Sequence, residues 1–220
     1  MSHSTRTPRA DTTRERILTS AERLFAEHGV FAVSNRQVSE AAGQGNNAAV
    51  GYHFGTKTDL IRAIIRRQAE PIERIRERML AEIGDSTELR YWVACLVRPV
   101  TTPLSEVDGP TWFARFSAQV MTEPALREIV IAEALNSPAL QGILDGLNRC
   151  LPALPAEVRA ERFDMSRHLI VHMCAERERA IAEGTPTPRS SWRDTGTGLI
   201  DAIVGLWRAP VTHHSREGMS

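Results

Sequence analysis

Three helix-start signals stand within the first sixty residues, and they constrain the fold of this region more tightly than any other feature of the chain. Thr12-x-x-Glu15, Ser34-x-x-Gln37 and Thr56-x-x-Asp59 each place a hydroxyl three residues ahead of a carboxylate or amide. In that arrangement the hydroxyl accepts from an unpaired backbone N–H of the first turn, while the acid or amide reaches back to the N–H of the hydroxyl residue. Apolar residues then recur at helical spacing. Ile17, Leu18, Ala21, Leu24 and Phe25 follow the first signal, Val38, Ala41 and Ala42 the second, and Leu60, Ile61, Ile64 and Ile65 the third. Gly29 and Gly43 stand at the ends of the first two stretches, where a left-handed backbone closes a helix. A short further helix fits between Asn46 and Phe54.

The remaining chain carries the same helical period. Pro71 is expected to interrupt or kink a long fourth helix that runs on towards Ile83, because proline lacks the N–H that the ladder uses. Leu89, Trp92, Val93, Leu96 and Val97 form the next stripe, and helices are predicted over 112–121, 125–135 and 138–151. A longer helix is predicted over 155–183. A Gly-Pro-Ser loop (184–191) precedes a last helix that opens at Ser191-x-x-Asp194 and stops at Pro210. No alternating strand pattern and no repeat of 20–50 residues competes with this reading. The expected fold is all-α. A small three-helix unit spans 11–56 and a larger helical domain spans 57–208, with disordered segments at 1–10 and 209–220.

Composition narrows the class of protein. Hydrophobic residues at 42% and charged residues at 25% fit a soluble globular chain and exclude a collagen-like or wholly disordered one. No apolar run approaches the length of a membrane span, and no signal peptide is visible, so a cytoplasmic protein is expected. Cys95, Cys150 and Cys174 are an odd, widely spaced set without a CxxC pair, which fits reduced thiols. The formal net charge is zero but unevenly spread. Residues 1–67 carry ten basic side chains against six acidic, and residues 68–220 carry seventeen against twenty-one. A basic module on an acidic body suits a polyanionic partner at one end only.

Residues 34–54 have the layout of a helix-turn-helix: a short helix, a glycine-containing turn, and a second helix that would enter the major groove of DNA. The residue chemistry agrees. Asn46 and Asn47 stand at the predicted start of that second helix, and an Asn amide pairs with adenine N6 and N7. The small Ala48 allows close approach to base edges. Ser34, Arg36, Gln37, Tyr52, His53 and Lys57 supply donors suited to phosphate oxygens. Val38, Ala41, Val50 and Phe54 would hold the two helices together.

The first-helix stretch RERILTSAERLFAEHG, the tract SNRQVSEAAG and above all YHFGTKTDL at 52–60 resemble the N-terminal DNA-binding domain of the TetR/AcrR family of bacterial transcriptional regulators. The resemblance covers residues 12–65. It implies a homodimer with a three-helix reader at the N-terminus and a larger domain for ligand sensing and dimerisation, a double-stranded DNA operator as partner, and an unidentified small-molecule effector in place of any cofactor. The family's phosphate-contacting hydroxyl falls on Ser34, its second-helix arginine on Arg36 and its fourth-helix lysine on Lys57. Two departures are visible. One extra residue lies between Gly43 and Val50, so the turn or the start of the reading helix must differ. Gly51 also occupies the position commonly filled by a DNA-contacting Tyr.

In the larger domain, Trp92, Trp112, Phe113, Phe116 and Met121 are either ordinary core or the lining of a ligand pocket, and the resemblance favours a pocket in this region. The last two long helices would pair with their mates across a two-fold axis, with Leu169, Ile200 and Trp207 as candidate anchors. His168 and His172 stand at i, i+4, but no third ligand shares their face, so no metal site is expected. No catalytic motif rises above background, and an enzyme is not expected. The competing reading is a helical small-molecule-binding or enzymatic domain that carries a vestigial helix-turn-helix, since a fold does not fix a function.

Overall fold

A computed structural model describes residues 8–46, 48–151 and 153–211, and among them it contains ten helices and no strand. In order they are α1 (Pro8–His28), α2 (Asn35–Ala41), α3 (Ala49–Phe54), α4 (Lys57–Ile83), α5 (Leu89–Glu106), α6 (Phe113–Thr122), α7 (Pro124–Leu135), α8 (Pro138–Cys150), α9 (Ala156–Glu183) and α10 (Trp192–Arg208). The expected Asn47 reader position and the tail beyond Val211 lie outside the described residues. Among the described residues no helix is long and apolar enough to cross a membrane.

Two of the three predicted capping boxes are built as expected. Ser34 Oγ accepts from Gln37 N at 3.3 Å while Gln37 Oε1 accepts from Ser34 N at 2.8 Å. Thr56 and Asp59 make the same reciprocal pair at the start of α4. Ser191 likewise caps α10, accepting from Asp194 N at 3.1 Å. The first box does not start a helix: α1 is already under way at Pro8, so Thr12 and Glu15 lie inside it. The physical reason is visible upstream, where proline suits a helix's first turn and Asp11 favours the positive end of its dipole. Gly29 (φ +88°) and Gly43 (φ +68°) take the left-handed conformation that ends α1 and the α2 segment. Pro71 does not divide α4, which runs through it as one element and forfeits a single ladder hydrogen bond.

The buried side chains fall into two clusters. The N-terminal one is built on Ile17, Leu18, Phe25, Val38, Val50, Leu60, Ile61 and Ile64, and it also takes in Phe116, Val120 and Leu126 from α6 and α7. Residues on both sides of position 56 therefore share one core, and α6 plugs the reader from the other side of the sequence. Phe25 and Phe116 stack with ring centroids 6.2 Å apart, an arrangement that contributes about 0.5–1.5 kcal/mol beyond burial alone. The second cluster joins α5, α8, α9 and α10 around Trp92, Val97, Ile143, Leu147, Ile203 and Trp207.

Charged groups tie the helices where apolar contact ends. Glu178 of α9, 1% exposed, accepts from Ala114 N at 3.2 Å and Arg115 N at 2.8 Å, which satisfies the free N–H groups at the start of α6. Arg162 of α9 donates to the carbonyls of Trp207 at 2.7 Å and Ala209 at 2.6 Å and so closes the C-terminal end of α10. Ser137 Oγ donates to Glu73 at 2.5 Å, which joins α4 to the start of α8.

Candidate nucleic-acid interface

The reader presents a continuous solvent-facing strip from the start of α2 to the end of α3. On α2, Val38 and Ser39 face inwards while Arg36, Gln37 and Glu40 are exposed. On α3, Ala49 and Val50 are buried, and Ala48, Gly51 and Tyr52 look outwards. Those three stand at i, i+3, i+4, one helical face. Tyr52 is 86% exposed, the most exposed of the large apolar side chains here.

The polar groups on this strip are not equally free to meet one. The Ser34 hydroxyl donates to Gln37 Oε1 at 2.9 Å, so the cap occupies both that O–H and the Gln37 carbonyl, and the Gln37 amide nitrogen is what remains to face a phosphate. Arg36 Nε donates to Glu40 at 2.7 Å, and that carboxylate raises the guanidinium's pKa through hydrogen bond and charge. The other guanidinium nitrogens of Arg36 still offer donors.

Asn46 differs from expectation. The helix begins at Ala49, and Asn46 Oδ1 accepts from Ala48 N at 2.9 Å in the preceding turn. A short side chain that captures a nearby backbone N–H competes with the first helical turn, so Asn46 stands ahead of α3 and not in it. The Asn46 amide nitrogen stays available beside the start of α3.

Lys57 and His53 point to other duties as well. Lys57 Nζ donates to Val33 O at 2.5 Å, and it sits 5.5 Å from the centroid of Phe25. Burial lowers its pKa, since leaving water disfavours the ammonium. This lysine pins the segment ahead of α2 onto the start of α4, a contact across 24 residues that no local pattern announces. His53 is half-buried and lines a groove between α1 and α4 with Arg14, Phe54 and Arg62, its ring edge-on to Tyr52 at 5.1 Å. Arg14 covers Phe54 at 4.9 Å in the same groove.

In the larger domain the five candidate pocket residues part company. Trp92, 1% exposed, is core: its indole N–H donates to Ser86 O at 2.8 Å and Gly146 lies flat against its ring. Phe116 belongs to the reader's core, stacked on Phe25, and Met121 is 5% exposed. None of these three lines the cavity that Trp112 and Phe113 border at the seam between reader and body.

Comparison with known proteins agrees with this architecture. Residues 17–64 match the family described as bacterial regulatory proteins, tetR family, and residues 94–205 match the tetracyclin repressor-like C-terminal domain. The chain belongs to the TetR family. The HTH-type transcriptional repressors AcnR of Corynebacterium efficiens and Corynebacterium glutamicum are each 38% identical over 71 residues, 32% of this chain. That stretch spans 37% of the length of those relatives. Among solved structures, AmtR of Mycobacterium smegmatis superposes with a TM-score of 0.57 at 18% identity, over 91% of this chain and 88% of that one. SmeT, the repressor of the Stenotrophomonas maltophilia multidrug efflux pump SmeDEF, gives 0.56 at 21% identity, over 87% and 88%. At such identities the likeness shows the fold.

For this TetR-family chain the two apolar dimer anchors expected on α10 are not at the surface. Ile200 and Trp207 are each 3% exposed, taken up by the protomer's own core, and the Trp207 indole donates to Ser166 Oγ at 3.0 Å. Leu169 is half-buried on α9. It lies in an outward stripe with Met165, 42% exposed, and Met173, 46% exposed. His168 and His172 flank that stripe with ring centroids 6.0 Å apart.

Proposed function

We propose that this chain is a sequence-specific DNA-binding regulator, a repressor that works as a homodimer on a near-palindromic operator and is released by a small molecule. The observation that carries the reading is the exposed strip of Arg36, Gln37, Asn46, Ala48, Gly51 and Tyr52 on a reader whose inward face is fully packed. Arg36 and the remaining donors of Lys57 and Gln37 meet phosphates and fix register, and the Asn46 amide with the small residues of α3 reads base edges. Two readers occupy half-sites about 34–36 Å apart, one helical turn of the duplex. The excess of basic over acidic side chains in residues 1–67 supports this assignment, as does the likeness to AcnR and SmeT, which are repressors. The dimer is held by the Met165, Leu169 and Met173 stripe of α9. Family membership favours regulation over catalysis.

Selection from random duplex DNA with the purified protein at about 150 mM salt, where non-specific binding is weak, tests the reading. The expected product is a two-half-site palindrome. Recovery of sequence-independent binding alone would overturn it. On the selected operator, Arg36→Ala should weaken all sequences alike and flatten the salt dependence by about one unit.

A further inference from the structure

A cavity of about 210 Å³ lies where the reader meets the body. One wall is polar and belongs to α1 and α4, with Thr19, Glu22, Arg67 and Gln68. The other comes from the end of α5 and the segment before α6, where Pro103, Pro110, Trp112 and Phe113 present ring surfaces. Trp112 is half-buried, whereas Trp92, Trp192 and Trp207 are all less than 10% exposed. The one indole that the protein leaves partly uncovered therefore faces this space.

Size and chemistry narrow what fits. An apolar cavity of about 150 Å³ holds benzene, so this one accommodates a single ring with a small substituent. The polar end is set by Glu22, 5% exposed, whose carboxylate accepts from Gln68 Nε2 at 3.1 and 2.9 Å and from Arg67 Nη2. A carboxylate offers about four acceptor positions, so these three contacts leave room for another donor. Arg67 is committed to Glu22, to Thr19 Oγ1 at 3.1 Å and to Glu15 at 3.4 Å. An arriving anion would find its only cation in the cavity wall already engaged by two carboxylates.

The cavity also sits on the joint between the two units. Glu22 with Arg67 and Gln68 is a direct tie from α1 to α4, and Phe113 packs against both hydrophobic clusters. A ligand that takes up acceptor capacity on Glu22 and presses on Phe113 acts on both clusters together. We propose that this cavity binds an uncharged, single-ring molecule carrying a hydroxyl or N–H donor, and that occupancy lowers the affinity of the reader for DNA. The proposal rests on the ligand-released reading above and gives it a site and a ligand class. Its effect on DNA is limited to the difference in ligand affinity between the two conformations.

Phenol is the probe, with benzoate as its anionic counterpart and toluene as the ring without a donor. Calorimetric titration of the full chain should show one saturable phenol site per chain, at least tenfold tighter than for benzoate or toluene. Trp112 emission should change with it, a signal lost in Trp112→Phe. Val107→Trp at the exposed rim and Val100→Phe inside each fill the space, and each should weaken phenol at least tenfold while circular dichroism reports an intact fold. Saturating phenol should lower affinity for the selected operator at least threefold in the parent chain and leave Val107→Trp unaffected. Absence of saturable phenol binding, equal binding of benzoate, or indifference to both filled variants would overturn the site. Unchanged operator affinity at saturation would overturn the coupling. If no operator is recovered at all, the regulator reading and the coupling fall together, while the calorimetry still decides the site.

Discussion

Replacing Gly51 by Ala separates what the glycine costs the fold from what it gives the reader. Gly51 lies in the interior of α3 with an ordinary negative φ, and a Cβ built on it meets nothing within 4 Å. The folded protein therefore has no steric objection to alanine. Alanine is favoured over glycine in a helix interior by about 0.8–1.0 kcal/mol, and Gly-to-Ala changes at compatible sites stabilise proteins by about 0.4–1 kcal/mol. Because α3 is only six residues long, the lower half of that range applies, roughly 0.5 kcal/mol. For a chain of this size that corresponds to about 1–2 °C in melting temperature. The new methyl joins Ala48 and Tyr52 on the outward face, so where α3 enters the groove it meets DNA first. Operator affinity should fall tenfold or more, about 1.4 kcal/mol, as the protein becomes more stable. Urea denaturation and operator titration of the same preparation measure both. A loss of stability would refute the open space, and an unchanged operator affinity would refute the docking face.

Gly146→Ala should do the opposite, because its Cβ would stand 2.3 Å from the Trp92 ring. Overpacking of about 1–3 kcal/mol exceeds the helix-propensity gain, so urea denaturation should show net destabilisation, and a stabilised variant would contradict the packing. Glu178→Ala leaves the Arg115 side chain and the N–H groups of Ala114 and Arg115 without their acceptor and should cost about 3–5 kcal/mol. The paired Glu178→Met, Arg115→Met variant removes the stranded charge but not the two unpaired N–H groups, so it should recover part of that loss, and equal losses in the two would disprove the ion pair. Burial pushes the Cys95 thiol up to about 11 and the Cys174 thiol up to about 12, so at pH 8 native protein should be alkylated by iodoacetamide at Cys150 first, as peptide mass mapping will report. Hydrogen bonds from Ser191 and Ser190 lower the Asp194 pKa. A carboxylate lowered in the folded state stabilises above its ordinary value and loses that contribution as acid protonates it. Asp194→Asn should therefore narrow the difference in urea midpoint between pH 7 and pH 3, and an unaltered difference would remove the cap from the acid response.

What could be read in advance was local. Ser34 with Gln37, Thr56 with Asp59, and Ser191 with Asp194 are each separated by three residues, so the chemistry that starts these helices is written within one turn of sequence. The same locality misled at Thr12, where a well-formed signal sits inside a helix that other residues had already begun. The exposure of the α2 and α3 candidates was legible from helical period, and the surroundings of the others became less so where long-range contacts decide. Lys57 reads as a phosphate ligand alone, and its second duty, one ammonium donor given to Val33 24 positions earlier, is not written in any local pattern. Trp92 looks like a pocket wall until Gly146 is placed against its ring. On α10, Ile200 and Trp207 form the stripe that a sequence offers to a partner, and the protomer's own core uses it instead.

Three carboxylates, Glu22 and Glu178 buried and Glu73 half-buried, show how such contacts bear on function as well as on stability. Glu22, Glu73 and Glu178 each serve a helix other than their own: Glu22 joins α1 to α4, Glu73 joins α4 to α8, and Glu178 joins α9 to α6. An apolar residue at any one of these positions would strand the donors it serves and cost stability, whereas apolar replacement of a whole buried pair is often neutral. What a hydrogen-bonded carboxylate adds is a defined register between two helices. Through α6, which is clamped by Glu178 at its start and stacked on Phe25 through Phe116, the body sets the position of the reader's first helix. Through Glu22 that helix is in turn set against α4, which carries the Thr56 and Lys57 contacts into the reader. The reader is thus held at two points by the domain behind it, and the seam cavity is lined by Glu22 at one of them and by Phe113 at the start of α6. On the proposed reading, a molecule lodged there meets the reader where its orientation is fixed, and its binding energy would act directly on the geometry that spaced half-sites require.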